Sequence, residues 1–209
     1  ELFHNFCLIH DDIIDNGKLR HGYETINYLL NKKFKNVSTT KLIKFSEGEA
    51  LLIGDLIFNE VFYVLNSYKF KDNKIRDLFY DEFYDMIRLV VQGQILDVYL
   101  TIKDNHNYRE ILKKNILKTS YYSFVKPMKI GYILSGNEDK NYIELITKIG
   151  TTIGLLYQIQ DDIFDFIGDE DKIGKNLLND IVNNQKTFVT YYLKNYEGQK
   201  FKIIMNKIK

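Results

Sequence analysis

Apolar residues recur at three- and four-residue spacing along most of this chain, the mark of helices with one buried face. Between 72 and 103 the set Ile75, Leu78, Phe79, Phe83, Met86, Val90 and Val91 follows that rhythm. The pattern predicts helices near 1–15, 22–31, 40–67, 72–103, 108–117, 118–135, 140–168 and 180–194. Alternating patterns of useful strand length are absent. Several of these helices are well above the ~11–12 residue average, which favours an all-α bundle.

Breaks fall at 16–17, 36–38, 69–73, 104–107, 135–141 and 168–174, and none is long enough for an interdomain linker. One domain spanning 1–209 is therefore expected. The hydrophobic fraction of 45% supports a real core. With 29 basic and 28 acidic residues the net charge is +1, which argues against a chain built to coat nucleic acid. The single cysteine allows no internal disulfide and fits a reducing compartment such as the cytoplasm. No apolar run reaches the ~18 residues of a membrane span. The first residues, ELFHNF, have neither the basic start nor the cleavage site of a signal peptide and read like the middle of a helix, so the sequence is expected to be a fragment whose upstream helices, with any organellar targeting segment, lie outside it.

Two stretches break the apolar pattern: HDDIIDNGKLRHG, with Asp11, Asp12 and Asp15, and QDDIFDFIGDEDKIGK, with Asp161, Asp162 and Asp165. Helix residues four apart lie within about 40° of one face, so Asp11 pairs with Asp15 and Asp161 with Asp165. Like charges so placed repel, by roughly 0.2–0.5 kcal/mol on an exposed helix and more when buried. The flanking residues (Leu8, Ile9, Ile13, Ile14; Ile159, Ile163, Phe164, Phe166) want to face other helices. Something cationic must offset the acids. Mg²⁺ fits, since it takes one or two carboxylates with waters and phosphate oxygens. Zinc would want His or Cys beside them. Basic residues after each cluster suit phosphate charge, Arg as a fork and Lys as a point charge.

With these motifs in order, the sequence resembles the short-chain trans-prenyl diphosphate synthases (farnesyl and geranylgeranyl diphosphate synthases). ELFHNFCLIHDDIIDNGKLRHG resembles the family's first aspartate-rich motif and YQIQDDIFDFIGD its second. GDLIFNEVF, VVQGQILDVYL and KTSYYSFVKP match the intervening helices. The resemblance runs from residue 1 to about 192. It implies an all-α isoprenoid-synthase-type bundle around a central cavity, normally a homodimer using three Mg²⁺ ions and lacking part of the family's N- and C-terminal regions here. Isopentenyl diphosphate would be condensed with a C5, C10 or C15 allylic diphosphate, releasing diphosphate.

By the same resemblance, Asp11 and Asp15 ligate two ions with Asp12 in support. Asp161 ligates the third, with Asp162 and Asp165 nearby. Arg20, Lys118, Lys175 and Lys186 hold the allylic diphosphate. Thr119 and Gln158 lie beside the reacting carbons. His4 falls at a contact to isopentenyl diphosphate. His21 stands where the family has a second arginine for that substrate, and being shorter and largely neutral at pH 7 it implies weaker or pH-dependent binding. Phe6 and Cys7, five and four residues before the first aspartate, form the expected pocket floor. An aromatic followed by a small residue leans toward a C20 product, whereas KTSYYSF leans toward C15. Alternatives are a non-catalytic regulatory subunit, a terpene cyclase of the same fold, or a di-iron bundle using Glu1 and His4.

Overall fold

A computed structural model describes residues 1–34, 37–103, 107–168 and 177–199 of the chain. Among the described residues the all-α expectation holds, with one small β ribbon added. The chain forms two compact units, Glu1–Lys69 with Gly168–Leu177, and Phe70–Ile167 with Leu178–Lys209.

In the first unit, α1 (Leu2–Ile14) lies against α3 (Thr39–Ser67). Aromatic rings fill the seam: Phe6 stacks on Phe58 at 4.6 Å between centroids, and Phe58 meets Phe62 edge-on at 5.1 Å. Phe3, Ala50 and Val61 are buried. The imidazole of His10 occupies the space that a side chain at Gly54 would need, since a Cβ there would come within 2.5 Å of it.

The expected helix at 22–31 begins only at α2 (Ile26–Asn31). Ahead of it β1 (Leu19–Arg20) and β2 (Tyr23–Glu24) pair antiparallel, with Leu19 opposite Glu24 and Arg20 opposite Tyr23. The two-residue loop, His21-Gly22, has φ of +52° and +80°. Positive φ at both loop residues is the twist that a tight hairpin needs, and it rules out helix there. Glycine takes it without cost, and histidine is among the side chains enriched in that region.

In the second unit, α4 (Asn73–Ile102) starts at Asp72, whose side chain accepts from the Lys74 and Ile75 N–H groups. Phe79, Phe83, Met86, Val90 and Leu100 line its buried face, while Val91 is exposed. The helices expected at 108–117 and 118–135 are one continuous run. It consists of α5 (Tyr108–Asn115), a π-helical stretch (Ile116–Val125) and α6 (Lys126–Leu134). A capping box between Asn107 and Glu110 opens it.

The π stretch is gripped from both sides. A Cβ on Gly93 of α4 would lie 2.5 Å from the Lys118 nitrogen. One on Gly154 of α7 (Lys140–Ile167) would lie 2.4 Å from Ser120 Cα, and one on Gly150 would lie 2.9 Å from the Val125 side chain. Gly93 and Gly154 thus let backbone approach backbone, and Gly150 admits the Val125 side chain, at distances any other residue would block. Lys126, buried, ties α6 to α4 through Glu82 (2.6 Å) and Asp85. Burial pushes the Asp85 carboxyl up, but Lys126 and Arg88 outweigh it and hold it below its ordinary value.

The helix expected at 180–194 is broken in two, α8 (Asn179–Val182) and α9 (Phe188–Tyr196). Asn184 is left-handed at φ +55°, and Thr187 opens α9 with a capping box to Thr190. Asparagines at 183–184 are poor helix formers that tolerate this turn.

Candidate active site

The first aspartate cluster sits at the C-terminal end of α1, where the chain doubles back into the ribbon. Asp12 points into that return and is 7% exposed. Arg20 of β1 donates to its Oδ1 from Nε at 2.8 Å, with the terminal nitrogen 2.7 Å away. The same terminal nitrogen reaches Asp11 Oδ2 at 3.3 Å. Backbone bonds fasten the return: Gly17 N–H donates to the Asp12 carbonyl, and the Thr25 hydroxyl donates to the Gly17 carbonyl at 2.6 Å. Burial raises the Asp12 carboxyl above its ordinary range, and the Arg20 bonds offset only part of that. Asp11 and Asp15, one turn apart as expected, remain half-buried.

The second cluster divides in the same way, and not along the four-residue spacing. Asp162 and Asp165 are each 3% exposed, and Asp161 is half-buried. Asp162 Oδ2 accepts the Phe188 N–H at the start of α9 at 3.1 Å, and its Oδ1 accepts Gln158 Nε2 at 2.9 Å. Asp165 Oδ2 accepts the Asp180 N–H in α8 at 3.2 Å, while its carbonyl accepts the Leu178 N–H at 2.8 Å. Helix N-termini carry unpaired N–H groups and partial positive charge, so buried carboxylates are natural partners. Desolvation nevertheless pushes Asp162 up to about 6.

Thr119, buried on the π stretch, donates its hydroxyl to Gln158 Oε1 at 2.6 Å. The two residues expected beside the reacting carbons are therefore bonded to each other. Lys118, one residue earlier, reaches Asp97 of α4 at 2.7 Å, and the buried Lys114 reaches the other oxygen of Asp97 at 3.0 Å. Burial would raise Asp97, but the two lysines hold it below the usual carboxylate range. Sequence reasoning missed Asp97 and Lys114. Their signals were a lone acid inside the apolar run VVQGQILDVYL and two lysines four apart in KKNILK.

Lys186 is buried with its ammonium on the Asn184 carbonyl at 3.0 Å, so it is not a solvated surface lysine. Lys175 lies outside the described residues. His4 and His21 are both exposed, so His4 is not a core histidine. Phe6 is locked into the α1–α3 seam against Phe58, with Phe3 and His10 also in ring contact. Cys7 beside it is half-buried.

Among the described residues no three His, Cys, Asp or Glu side chains converge on one point. Carboxylates met one or two at a time suit Mg²⁺, which retains waters and takes phosphate oxygens beside them. His10 gives no nitrogen to the first cluster, because its ring lies by the Leu51 carbonyl and Asp55 on α3.

The polyprenyl synthetase family profile matches residues 1–209. The chain belongs to the polyprenyl synthetase family. Its relatives include a geranylgeranyl diphosphate synthase of Saccharolobus solfataricus, 30% identical over 190 residues, covering 90% of this chain and 52% of that protein. A farnesyl diphosphate synthase of Micrococcus luteus is also 30% identical, over 91% of this chain and 60% of that protein. The chain thus spans about half the length of the curated relatives it matches. Among solved structures, geranylgeranyl pyrophosphate synthase from Corynebacterium glutamicum, complexed with isoprenyl diphosphate and magnesium, superposes with a TM-score of 0.87 at 23% identity. It covers 99% of this chain and 58% of that one, and it shows the shared all-α isoprenoid-synthase fold. No helix among the described residues is long and apolar enough to cross a membrane.

Proposed function

We propose that this polyprenyl synthetase chain belongs to a trans-prenyltransferase that condenses isopentenyl diphosphate with an allylic diphosphate. One observation carries the reading. Each aspartate cluster keeps at least one carboxylate half-exposed while its buried neighbours hold protein groups. Half-exposed carboxylates on otherwise apolar helices are where Mg²⁺, with its waters and phosphate oxygens, could be reached.

Asp11 and Asp15 in one unit, and Asp161 in the other, are the carboxylates that would hold Mg²⁺, three ions in all. When bound, that charge offsets the diphosphate as it departs. Arg20 keeps donors beyond those spent on Asp12 and Asp11, since a guanidinium has five N–H groups. It and Lys118 take diphosphate oxygens. Lys186 would first have to leave Asn184.

The allylic C–O bond breaks with its electron pair leaving on diphosphate. The double bond of isopentenyl diphosphate attacks the allylic cation, one C–C bond forms, and a proton is lost to diphosphate. Thr119 and Gln158 offer that cation oxygen lone pairs, which stabilise its charge electrostatically. No side-chain nucleophile or general base is required.

Geranylgeranyl diphosphate is the product favoured by Phe6 with Cys7, alongside farnesyl diphosphate. A homodimer is the expected assembly, and the lone cysteine suits the cytoplasm. Asp11→Asn and Asp161→Asn test the reading. Each should lower condensation about a hundred-fold or more, the scale of a lost electrostatic contact in a transition state. Full activity in both would refute it.

A further inference from the structure

Asp162 does something that neither an Mg²⁺ ligand nor a simple helix cap explains. Its two oxygens accept from two donors of different kinds. The Phe188 N–H is backbone and cannot turn round. The Gln158 side chain is an amide, whose two ends differ only in which is donor and which acceptor. A carboxylate accepts on both sides, so it forces Gln158 to present nitrogen to it at 2.9 Å. The Gln158 oxygen must then face Thr119, 2.6 Å away. The only proton on the Thr119 hydroxyl is thereby committed to Gln158.

We propose that Asp162 is a positioning residue that fixes the polarity of the Thr119–Gln158 pair, so that both present oxygen lone pairs to an electron-poor carbon of the substrate. The inference rests on the condensation proposed above for what that carbon is. The chain Phe188 N–H, Asp162, Gln158, Thr119 lies wholly within the second unit. It runs from the first turn of α9 through α7 to the π stretch, and it is buried at Asp162 and Thr119. The close approach at Gly154, one turn before Gln158, sets the distance between the two elements.

The test exchanges donor for acceptor without changing shape. In Asp162→Asn, the new amide must give its oxygen to the fixed Phe188 N–H, which turns its NH₂ toward Gln158. Gln158 then flips and offers NH₂ to Thr119, reversing the polarity. In the double variant Asp162→Asn/Gln158→Glu, the carboxylate moves to position 158, accepts from both neighbours and restores Thr119 as a donor at unchanged net charge.

With the full chain, isopentenyl diphosphate and geranyl diphosphate, Asp162→Asn should lower kcat about ten- to a hundred-fold, the usual scale for a displaced supporting group. KM values and the Mg²⁺ concentration for half-maximal rate should stay within about three-fold, and the double variant should recover most of the rate. Unchanged kcat in Asp162→Asn would overturn the proposal. So would a raised Mg²⁺ requirement with no recovery, which would make Asp162 a metal ligand.

A second readout needs no turnover. The Gln158 side-chain amide resonances in ¹⁵N-labelled protein, assigned by their loss in Gln158→Glu, should move on Asp162→Asn. Resonances that stay put overturn the proposal. Resonances that move in a protein without condensation activity would sustain the polarity lock and refute the reaction.

Discussion

Gly154→Ala is the sharpest probe of how the π stretch is held. A methyl group placed there would stand 2.4 Å from Ser120 Cα and 2.6 Å from Ser120 Oγ. The first of these is backbone, so no rotamer change relieves it. Helix α7 must move off the π stretch by several tenths of an ångström at least. Overpacking of this kind costs about 1–3 kcal/mol, and a backbone obstacle belongs at the upper end. Alanine regains up to about 1 kcal/mol over glycine through helix propensity. The net expectation is a loss of about 1–2 kcal/mol.

Gly131→Ala is the matched control. It lies inside α6 with nothing within 4 Å of a built Cβ. There only the propensity gain remains, about 0.5–1 kcal/mol. Urea unfolding followed by circular dichroism should place the two variants on opposite sides of wild type. Gln158 is one turn beyond Gly154, so its 2.6 Å bond with Thr119 should stretch as well, and turnover should fall more steeply in Gly154→Ala than stability does. A Gly154→Ala protein as stable as wild type would refute the close packing of α7 on the π stretch.

Three further outcomes are expected. Asp162 is raised to about 6 from an ordinary 3.8, so its folded-state pKa exceeds the unfolded one. The stability it contributes is therefore complete below about pH 4 and lost as pH rises through about 6. In metal-free buffer, the unfolding free energy of wild type minus that of Asp162→Asn should fall by up to about 3 kcal/mol over that window, at roughly 1.4 kcal/mol per unit of pKa. A flat difference would contradict the desolvation of this carboxyl. Arg20→Lys retains the charge but not the fork that spans Asp12 and Asp11. It should destabilise the first unit by about 1 kcal/mol and raise KM for the allylic diphosphate, read by thermal unfolding and initial rates. Phe6→Ala removes the ring stacked on Phe58 and should lengthen the product, read by chromatography of the dephosphorylated alcohols. An unchanged chain length would remove Phe6 from the pocket floor.

The long helices and both aspartate clusters were legible because 3.6-residue periodicity and six acids in apolar surroundings are properties of the sequence itself. What was not legible is tertiary. Two-residue strands are too short to alternate, so Leu19–Glu24 left no strand pattern, and the sequence marked a break only at 16–17. A π turn does not disturb hydrophobic spacing enough to mark 116–125. The division of labour inside each cluster was also hidden. Spacing pairs Asp161 with Asp165, yet Asp165 is buried because α8 brings the Asp180 N–H to it. Asp162 is buried because α9 begins against it. Nothing local announces which backbone N–H a carboxylate will meet 15 or 26 residues later.

The most direct measurement is product formation. Full-length protein is incubated with isopentenyl diphosphate and each of the C5, C10 and C15 allylic diphosphates, with Mg²⁺ and with chelator, and the products are sized by mass spectrometry. The expected result is Mg²⁺-dependent C20 diphosphate, with C15 beside it from the shorter starters and one diphosphate released per bond formed. Absence of any elongated product from all three starters in the presence of Mg²⁺ would contradict the account.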